Sequence, residues 1–140
     1  MSDRDEIMDL VHRYSDAVCR KDREQWAATW APDAVWDLGK GRLVSGITDI
    51  VNLWQRSVDA LNVVVQMMHN GTVTVDGDTA TGRWYVSEHL ERGNGVLGML
   101  LAWYDDTYVR VDGQWLFASR KLAALYHGPP DLSGGFTPQP

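Results

Sequence analysis

Two Asp-Gly dipeptides constrain the fold of this chain more than any other feature. Asp76-Gly77 and Asp112-Gly113 each separate runs in which apolar and polar residues alternate, the pattern of two β-hairpins. Asp-Gly supplies the positive φ angles of a type I′ turn at low cost. Because pairing outward from a tight turn decides which residues stand opposite one another, the two turns predict the register of half of the chain.

Helical patterning precedes this β-rich half. Apolar spacing predicts helices over residues 3–21, 25–30 and 47–61, with a short strand over 33–38. Four β-rich runs follow, over residues 63–75, 79–91, 96–111 and 114–126. Helices first and strands later predict an α+β domain in which a curved antiparallel sheet folds around three N-terminal helices.

Length and composition predict one domain and exclude several partners. The 140 residues, 44% of them hydrophobic, can form one core, which we place in residues 1–128, with a Gly/Pro-rich tail over 129–140. A net charge of -6 without a basic cluster favours neither nucleic acid nor an anionic membrane. With no long apolar run and an acidic start unlike a signal peptide, we expect a soluble cytoplasmic protein.

The single cysteine, Cys19, excludes an intrachain disulfide and a cysteine zinc site. A buried, inert thiol is the simplest interpretation of it. We expect no metal, because His69 has no second histidine at ligand spacing. His12, His89 and His127 are predicted to be surface or edge residues.

The first hairpin predicts where His69 points. With Asp76-Gly77 as a two-residue loop, Val75 faces Asp78 and His69 faces Trp84, on an inner face that also carries Met67. Glu88 would lie on the same face, and the threonines of both strands would face water. Burying ionisable groups is costly unless they are paired or functional, so His69 is a candidate for catalysis. A neutral core histidine bonded to a hydroxyl or carbonyl group is the alternative.

The second hairpin predicts structural contacts only. Pairing about Asp112-Gly113 places Asp105 opposite Arg120, as a cross-strand ion pair, and Tyr108 opposite Phe117.

A longer pattern resembles a known family. Tyr14 to Trp36 reads Y-S-D-A-V-C-R-K-D-R-E-Q-W-A-A-T-W-A-P-D-A-V-W, and it is followed by Gly46, His69, V-D-G-D-T-A and Y-V-R-V-D-G-Q-W-L-F-A-S-R. In order and spacing, this resembles the SnoaL-like branch of the NTF2-like superfamily, which includes scytalone dehydratase and a dehydrochlorinase. The resemblance implies an α+β cone around a deep hydrophobic pocket, no cofactor, and a homodimer or larger homo-oligomer built through the sheet.

The same resemblance implies a catalytic pair, an inward histidine with a first-helix aspartate. His69 matches the histidine, but Cys19 stands where the aspartate is expected. A thiol orients and stabilises an imidazolium poorly. Asp16, one turn before Cys19, and Glu88 are two candidates to replace the aspartate, although Asp16 also fits a solvent-facing position.

These features predict a lyase or isomerase that acts on a small apolar, cyclic molecule by acid–base chemistry, with His69 as the base and Asp16 as its partner. Residues expected to line the pocket are Tyr14, Cys19, Trp30, Trp36, Trp54, Met67, Trp84, Glu88 and Tyr104. The alternative is a non-catalytic binder of a small hydrophobic ligand. A protein-interaction module that uses the outer sheet face is a third and weaker hypothesis.

Overall fold

A computed structural model describes residues 1–139. The helices are α1 (Asp3–Arg20), α2 (Arg23–Ala27) and α3 (Ile47–Asp59). The strands are β1 (Trp30–Asp37), β2 (Leu43–Ser45), β3 (Leu61–Asp76), β4 (Thr79–Arg92), β5 (Leu97–Val111) and β6 (Gln114–Gly128). The predicted α+β class is therefore confirmed, and each predicted helix and strand is present with end shifts of a few residues.

The strands form one curved sheet in the order β2-β1-β6-β5-β4-β3. Neighbouring strands are antiparallel except β1 and β6, which run parallel. The sequence patterns did not predict this parallel pairing. The helices cover one side of the sheet, here called the inner face. None of the helices within residues 1–139 is long and apolar enough to cross a membrane.

Local signals explain the ends of α1 and α2. Ser2 and Asp5 form a reciprocal capping box at the start of α1, and Lys21 ends that helix in the left-handed conformation. Asp22 caps α2 by accepting a hydrogen bond from the backbone N–H of Gln25. The apolar stripe of α1 packs inward, which places Tyr14 against the sheet.

The first hairpin turns one residue later than predicted. Asp76 pairs with Thr79, so the loop is Gly77-Asp78, and of these two residues only Gly77 has a positive φ, 62°. A glycine at the first central position is typical of a type II′ turn. As a result Val75 pairs with Ala80, not with Asp78, and Trp84 pairs with Gly71, not with His69.

A β-bulge in β3 then reverses which residues face inward. Met68 pairs with Val86 and Gly71 pairs with Trp84, so His69 and Asn70 together oppose Tyr85. From Val64 to Met68 the even-numbered residues of β3 face inward, and after the bulge the odd-numbered ones do. The side chains of Met67 and His69 are both exposed, so the prediction that they face inward is wrong. That prediction assumed that inward and outward residues alternate without interruption along β3, and the bulge interrupts the alternation.

Gly71 directly follows the bulge, at a position where there is no room for a side chain. A Cβ built there would collide with the indole ring of Trp84 and come 2.7 Å from the carbonyl oxygen of Arg83. We expect Gly71→Ala to lower the free energy of unfolding by about 1–3 kcal/mol, the usual cost of overpacking. Urea unfolding followed by tryptophan fluorescence would measure the change.

Gly135→Ala is the matched control, because a Cβ at Gly135 meets nothing within 4 Å. If Gly71→Ala and Gly135→Ala were equally stable, the close approach of Trp84 to Gly71 would be contradicted.

The second hairpin has the predicted Asp112-Gly113 loop, with φ values of 50° and 79°. The predicted pair of Tyr108 and Phe117 is confirmed. A register shift in β6 at Ala118 then moves Arg120 opposite Asp106, so the predicted pairing of Asp105 with Arg120 is wrong by one residue. Asp105 lies on the outer face, where it accepts hydrogen bonds from Arg83 at 2.8 and 3.1 Å.

The segment after β6 folds back onto the end of that strand. The Tyr126 hydroxyl donates to the carbonyl oxygen of Pro129 at 2.6 Å and accepts from the N–H of Gly134 at 3.1 Å. The rings of Tyr126 and Phe136 lie 4.8 Å apart. The expected tail thus has defined contacts with Tyr126, and further along the Gln139 side chain donates to the Tyr85 hydroxyl at 3.4 Å.

Candidate functional site

His69 lies on the outer face, beside the bulge that directs it there. Its Nε2 is 2.8 Å from the Oγ of Ser87, a buried residue of β4. The exposed imidazole therefore has an ordinary hydroxyl partner and does not enter the interior. The prediction that His69 faces the interior is wrong. The choice of His69 as the base depended on that orientation, so the geometry no longer supports it.

The inward β3 residue that meets the first helix is Gln66, three positions before His69. Its backbone carbonyl accepts a hydrogen bond from the Ser15 hydroxyl at 2.6 Å, and its backbone N–H lies 3.2 Å from the Cys19 sulfur. The sulfur is also 3.4 Å from the Gln66 carbonyl oxygen. Cys19 is exposed and not buried as predicted, and it faces an amide where the resemblance implied a histidine.

Asp16 does not reach the interior. Its carboxylate accepts hydrogen bonds from Arg20 at 3.0 Å and from Gln25 at 2.9 Å on the exposed side of α1. The hydrogen bond from Gln25 and then the one from Arg20 hold the pKa of Asp16 below its usual value. The proposed pairing of Asp16 with His69 is therefore wrong, since the two side chains lie on different parts of the surface.

Glu88 is the ionisable residue that does face inward as predicted. It pairs with Gln66 on one side and with Leu100 on the other, and Leu100 pairs with His127 on β6. The Gln66 Nε2 donates to the Glu88 carboxylate at 3.0 Å. Burial raises the pKa of Glu88, which the Gln66 hydrogen bond and the nearby His127 oppose in part.

The wall around Glu88 is apolar. Val86, Ala102 and Tyr104 form a buried cluster with the partly buried Met68, Leu100 and Leu122 packed against it. Tyr14 of α1 and Tyr104 lie with ring centroids 6.2 Å apart. Burial raises the pKa of both tyrosines, so their hydroxyl groups stay neutral and can donate hydrogen bonds.

A charged pair lies beneath these tyrosines, and the sequence patterns missed it. The fully buried Arg120 donates to Asp106 at 2.7 and 3.1 Å, and Asp106 also accepts from the Tyr108 hydroxyl at 2.6 Å. The guanidinium carbon lies 3.8 Å from the ring centroid of Tyr104 and 4.5 Å from that of Tyr14. Burial alone would lower the pKa of Arg120, but Asp106 and, to a smaller extent, Tyr14 and Tyr104 oppose this effect, and together they raise the pKa above its usual value.

The remaining predicted wall residues pack in the core. Trp26 stacks on Trp54 with ring centroids 4.5 Å apart, and Trp30 and Trp36 contact its edges. Trp84 is buried on the inner face, where its Nε1 donates to the Tyr108 hydroxyl at 3.0 Å. His12, His89 and His127 are exposed, as predicted.

A groove of about 290 Å³ runs between α1 and the edge strand β3. We call it the α1–β3 groove. Its lining residues are His12, Ser15, Asp16, Cys19, Gln66, Met67 and Met68. Gln66 therefore lies between this groove and Glu88.

The chain belongs to the SnoaL-like domain family, whose model matches residues 1–121. It is 29% identical over 123 residues to the uncharacterized protein Rv2910c of Mycobacterium tuberculosis, covering 86% of this chain and 84% of that protein.

Two solved structures share the fold. A hexachlorocyclohexane dehydrochlorinase, LinA type 3, from Novosphingobium barchaimii is 22% identical, with a TM-score of 0.82 over 98% of this chain and 94% of that one. A scytalone dehydratase-like protein from Novosphingobium aromaticivorans is 20% identical, with a TM-score of 0.83 over 94% and 95% of the two chains. At these identities the similarity establishes the NTF2-like fold.

Proposed function

We propose that this protein is a cofactor-independent lyase or isomerase that acts on a small apolar, cyclic molecule, with Glu88 as its proton-transferring group. The observation that carries this proposal is the inward Glu88 carboxyl group, bonded to Gln66 and set in an apolar wall with a raised pKa. A carboxyl group whose pKa is shifted toward neutrality suits proton abstraction from carbon better than an ordinary one. The names of the similar dehydrochlorinase and dehydratase-like structures, which describe eliminations, support the same class.

The first step would be simple proton transfer. Glu88 takes a proton from the carbon next to an electron-withdrawing group, and the electron pair of the broken C–H bond moves into that group. A neutral tyrosine hydroxyl, from Tyr14 or Tyr104, would donate a hydrogen bond to the developing oxyanion. Return of the proton at another carbon gives isomerisation. If the adjacent carbon carries a leaving group, the C–H electron pair instead forms a new C=C bond, and the leaving group departs with the electron pair of its own bond to carbon, which is elimination.

Proton abstraction can be tested without the natural substrate. We expect the protein to catalyse exchange of the C2 hydrogens of 1-indanone, an apolar cyclic ketone, with D₂O, measured by proton NMR. Glu88→Gln should lower the protein-catalysed rate by about 100-fold or more, since general bases contribute roughly that much. Because only the ionised carboxylate accepts the proton, the rate should rise with pH and level off above the raised pKa of Glu88.

Two variants serve as controls. Glu91→Gln changes a carboxyl group three positions later on β4, which accepts a hydrogen bond from Asn62, and should leave the rate unchanged. His69→Ala should also stay within about twofold of the wild-type rate, because its imidazole is outside the interior. Exchange that survives in Glu88→Gln, or that is lost in His69→Ala, would contradict the assignment of Glu88.

A non-catalytic binder of a small hydrophobic ligand is the second candidate. The observation that favours it is the contact of the Cys19 sulfur with the backbone N–H of Gln66, which stands where the resemblance implied an aspartate–histidine pair. In that case 1-indanone would raise the melting temperature of the protein, but no exchange above the buffer rate would be seen.

A further inference from the structure

The side chain of Gln66 is held in one orientation. Both backbone polar groups of this residue are engaged by Ser15 and Cys19 of α1, which anchors the strand to the helix. Its side-chain Nε2 donates to Glu88, so the Oε1 must point elsewhere. Gln66 is only 4% exposed, so its amide has little freedom to turn toward water.

The Oε1 of Gln66 is buried and accepts no hydrogen bond from any group in residues 1–139. An unsatisfied buried acceptor costs about 1–3 kcal/mol, and such groups in folded proteins usually have an explanation. The inner-face residues around it, Met68 on β3, Val86 on β4 and Leu100 on β5, are apolar and do not supply a donor. The α1–β3 groove, which Gln66 lines, gives a molecule from solvent a route to this residue.

We propose that Gln66 is a specificity-determining residue, whose Oε1 accepts a hydrogen bond from a hydroxyl or N–H group of an uncharged ring-shaped ligand. This inference rests on the proposed interior site at Glu88 and names the class of molecule it takes. The apolar wall around Glu88 disfavours a charged ligand of either sign, and the Glu88 carboxylate and the net charge of -6 disfavour an anionic one in particular. The selected molecule is therefore a neutral cyclic alcohol, enol, phenol or amine-bearing ring, with its apolar side against Val86 and Leu100.

Two probes of nearly the same shape test the hydrogen bond. 4-Ethylphenol has the donor, and 4-ethyltoluene replaces it with a methyl group. Binding of each to the wild-type protein and to Gln66→Met would be measured by isothermal titration calorimetry. We expect the dissociation constant of 4-ethylphenol, divided by that of 4-ethyltoluene, to be about tenfold larger in Gln66→Met than in the wild-type protein. The reason is that a site with a hydrogen-bonding group prefers the ligand that bonds to it, and this preference is lost when the group is removed.

Controls separate this inference from the proposed function. Gln55→Met changes a half-buried glutamine of α3 that donates to Asp59 and lies outside the inner-face cluster around Glu88, and it should leave the ratio unchanged. Circular dichroism would verify that Gln66→Met is folded, and Gln66→Leu, which is smaller and also lacks the acceptor oxygen, would replace it if not. If both probes bind but the ratio is the same in wild type and variant, the role of Gln66 is contradicted while the interior site stands. If 4-ethylphenol does not bind at all, the role of Gln66 and the interior site are both contradicted.

Discussion

Arg120→Met is expected to lower the free energy of unfolding by about 3–5 kcal/mol, the usual cost of removing one member of a buried ion pair. The variant leaves Asp106 charged or forces it to take up a proton, with only the Tyr108 hydroxyl still bonded to it. It also removes the cation that lies against the rings of Tyr14, Tyr104 and Phe117. Since a domain of this size is stable by only about 5–15 kcal/mol, the loss would be severe.

The measurement is urea unfolding followed by circular dichroism. Lys121→Met is the matched control, because the neighbouring lysine is exposed and should cost little. The double variant Arg120→Met/Asp106→Leu should recover much of the stability, since replacing both members of a buried pair by apolar residues is often nearly neutral. Should Arg120→Met fail to fold, Asp106→Asn offers a milder break of the same pair. Single variants as stable as Lys121→Met would show that the pair is not a buried charge pair.

Trp26→Ala is expected to cost a comparable amount, about 3–5 kcal/mol, because it removes a whole aromatic side chain from the core. Trp26 is fully buried, stacks on Trp54, and contacts Tyr14, Trp30 and Trp36 at its edges. A cavity at this position would sit where α1, α2 and α3 meet the sheet. Thermal unfolding by calorimetry would report the change as a lower melting temperature.

Trp26→Phe separates the ring from the indole N–H. The Nε1 of Trp26 is buried and has no hydrogen-bond partner in residues 1–139, so its removal relieves an unsatisfied donor. Trp26→Phe should therefore lose clearly less stability than Trp26→Ala. If the two variants lost the same amount, a hydrogen bond of the indole, and not ring packing, would be the main contribution of Trp26.

The candidate site was predictable only in part. Glu88 and Tyr104 were assigned to the inner face correctly, because β4 and β5 keep one alternation from Thr79 to Glu88 and from Leu100 to Tyr108. His69 was assigned incorrectly, because the bulge between Met68 and Gly71 reverses the alternation on β3 alone. Gln66 was missed for the same reason.

The buried Asp106–Arg120 pair was missed through a similar local event. The single extra residue at Ala118 shifts β6 by one position, which exchanges the outer Asp105 for the inner Asp106 as the partner of Arg120. A one-residue slip changes the face of every later side chain in a strand. A pattern read outward from a turn is therefore reliable only as far as the first bulge.

The sequence by itself determined the order of helices and strands, the α+β class and the two hairpins, because apolar periodicity and turn-forming residues act over a few neighbouring positions. The tertiary structure decided which ionisable groups share the interior. Bulges depend on side-chain packing between strands, here the close approach of Trp84 on β4 to Gly71 on β3, which the alternation within one strand does not reveal. That packing turned His69 toward Ser87 on the outer face and left Gln66 and Glu88 facing the helices.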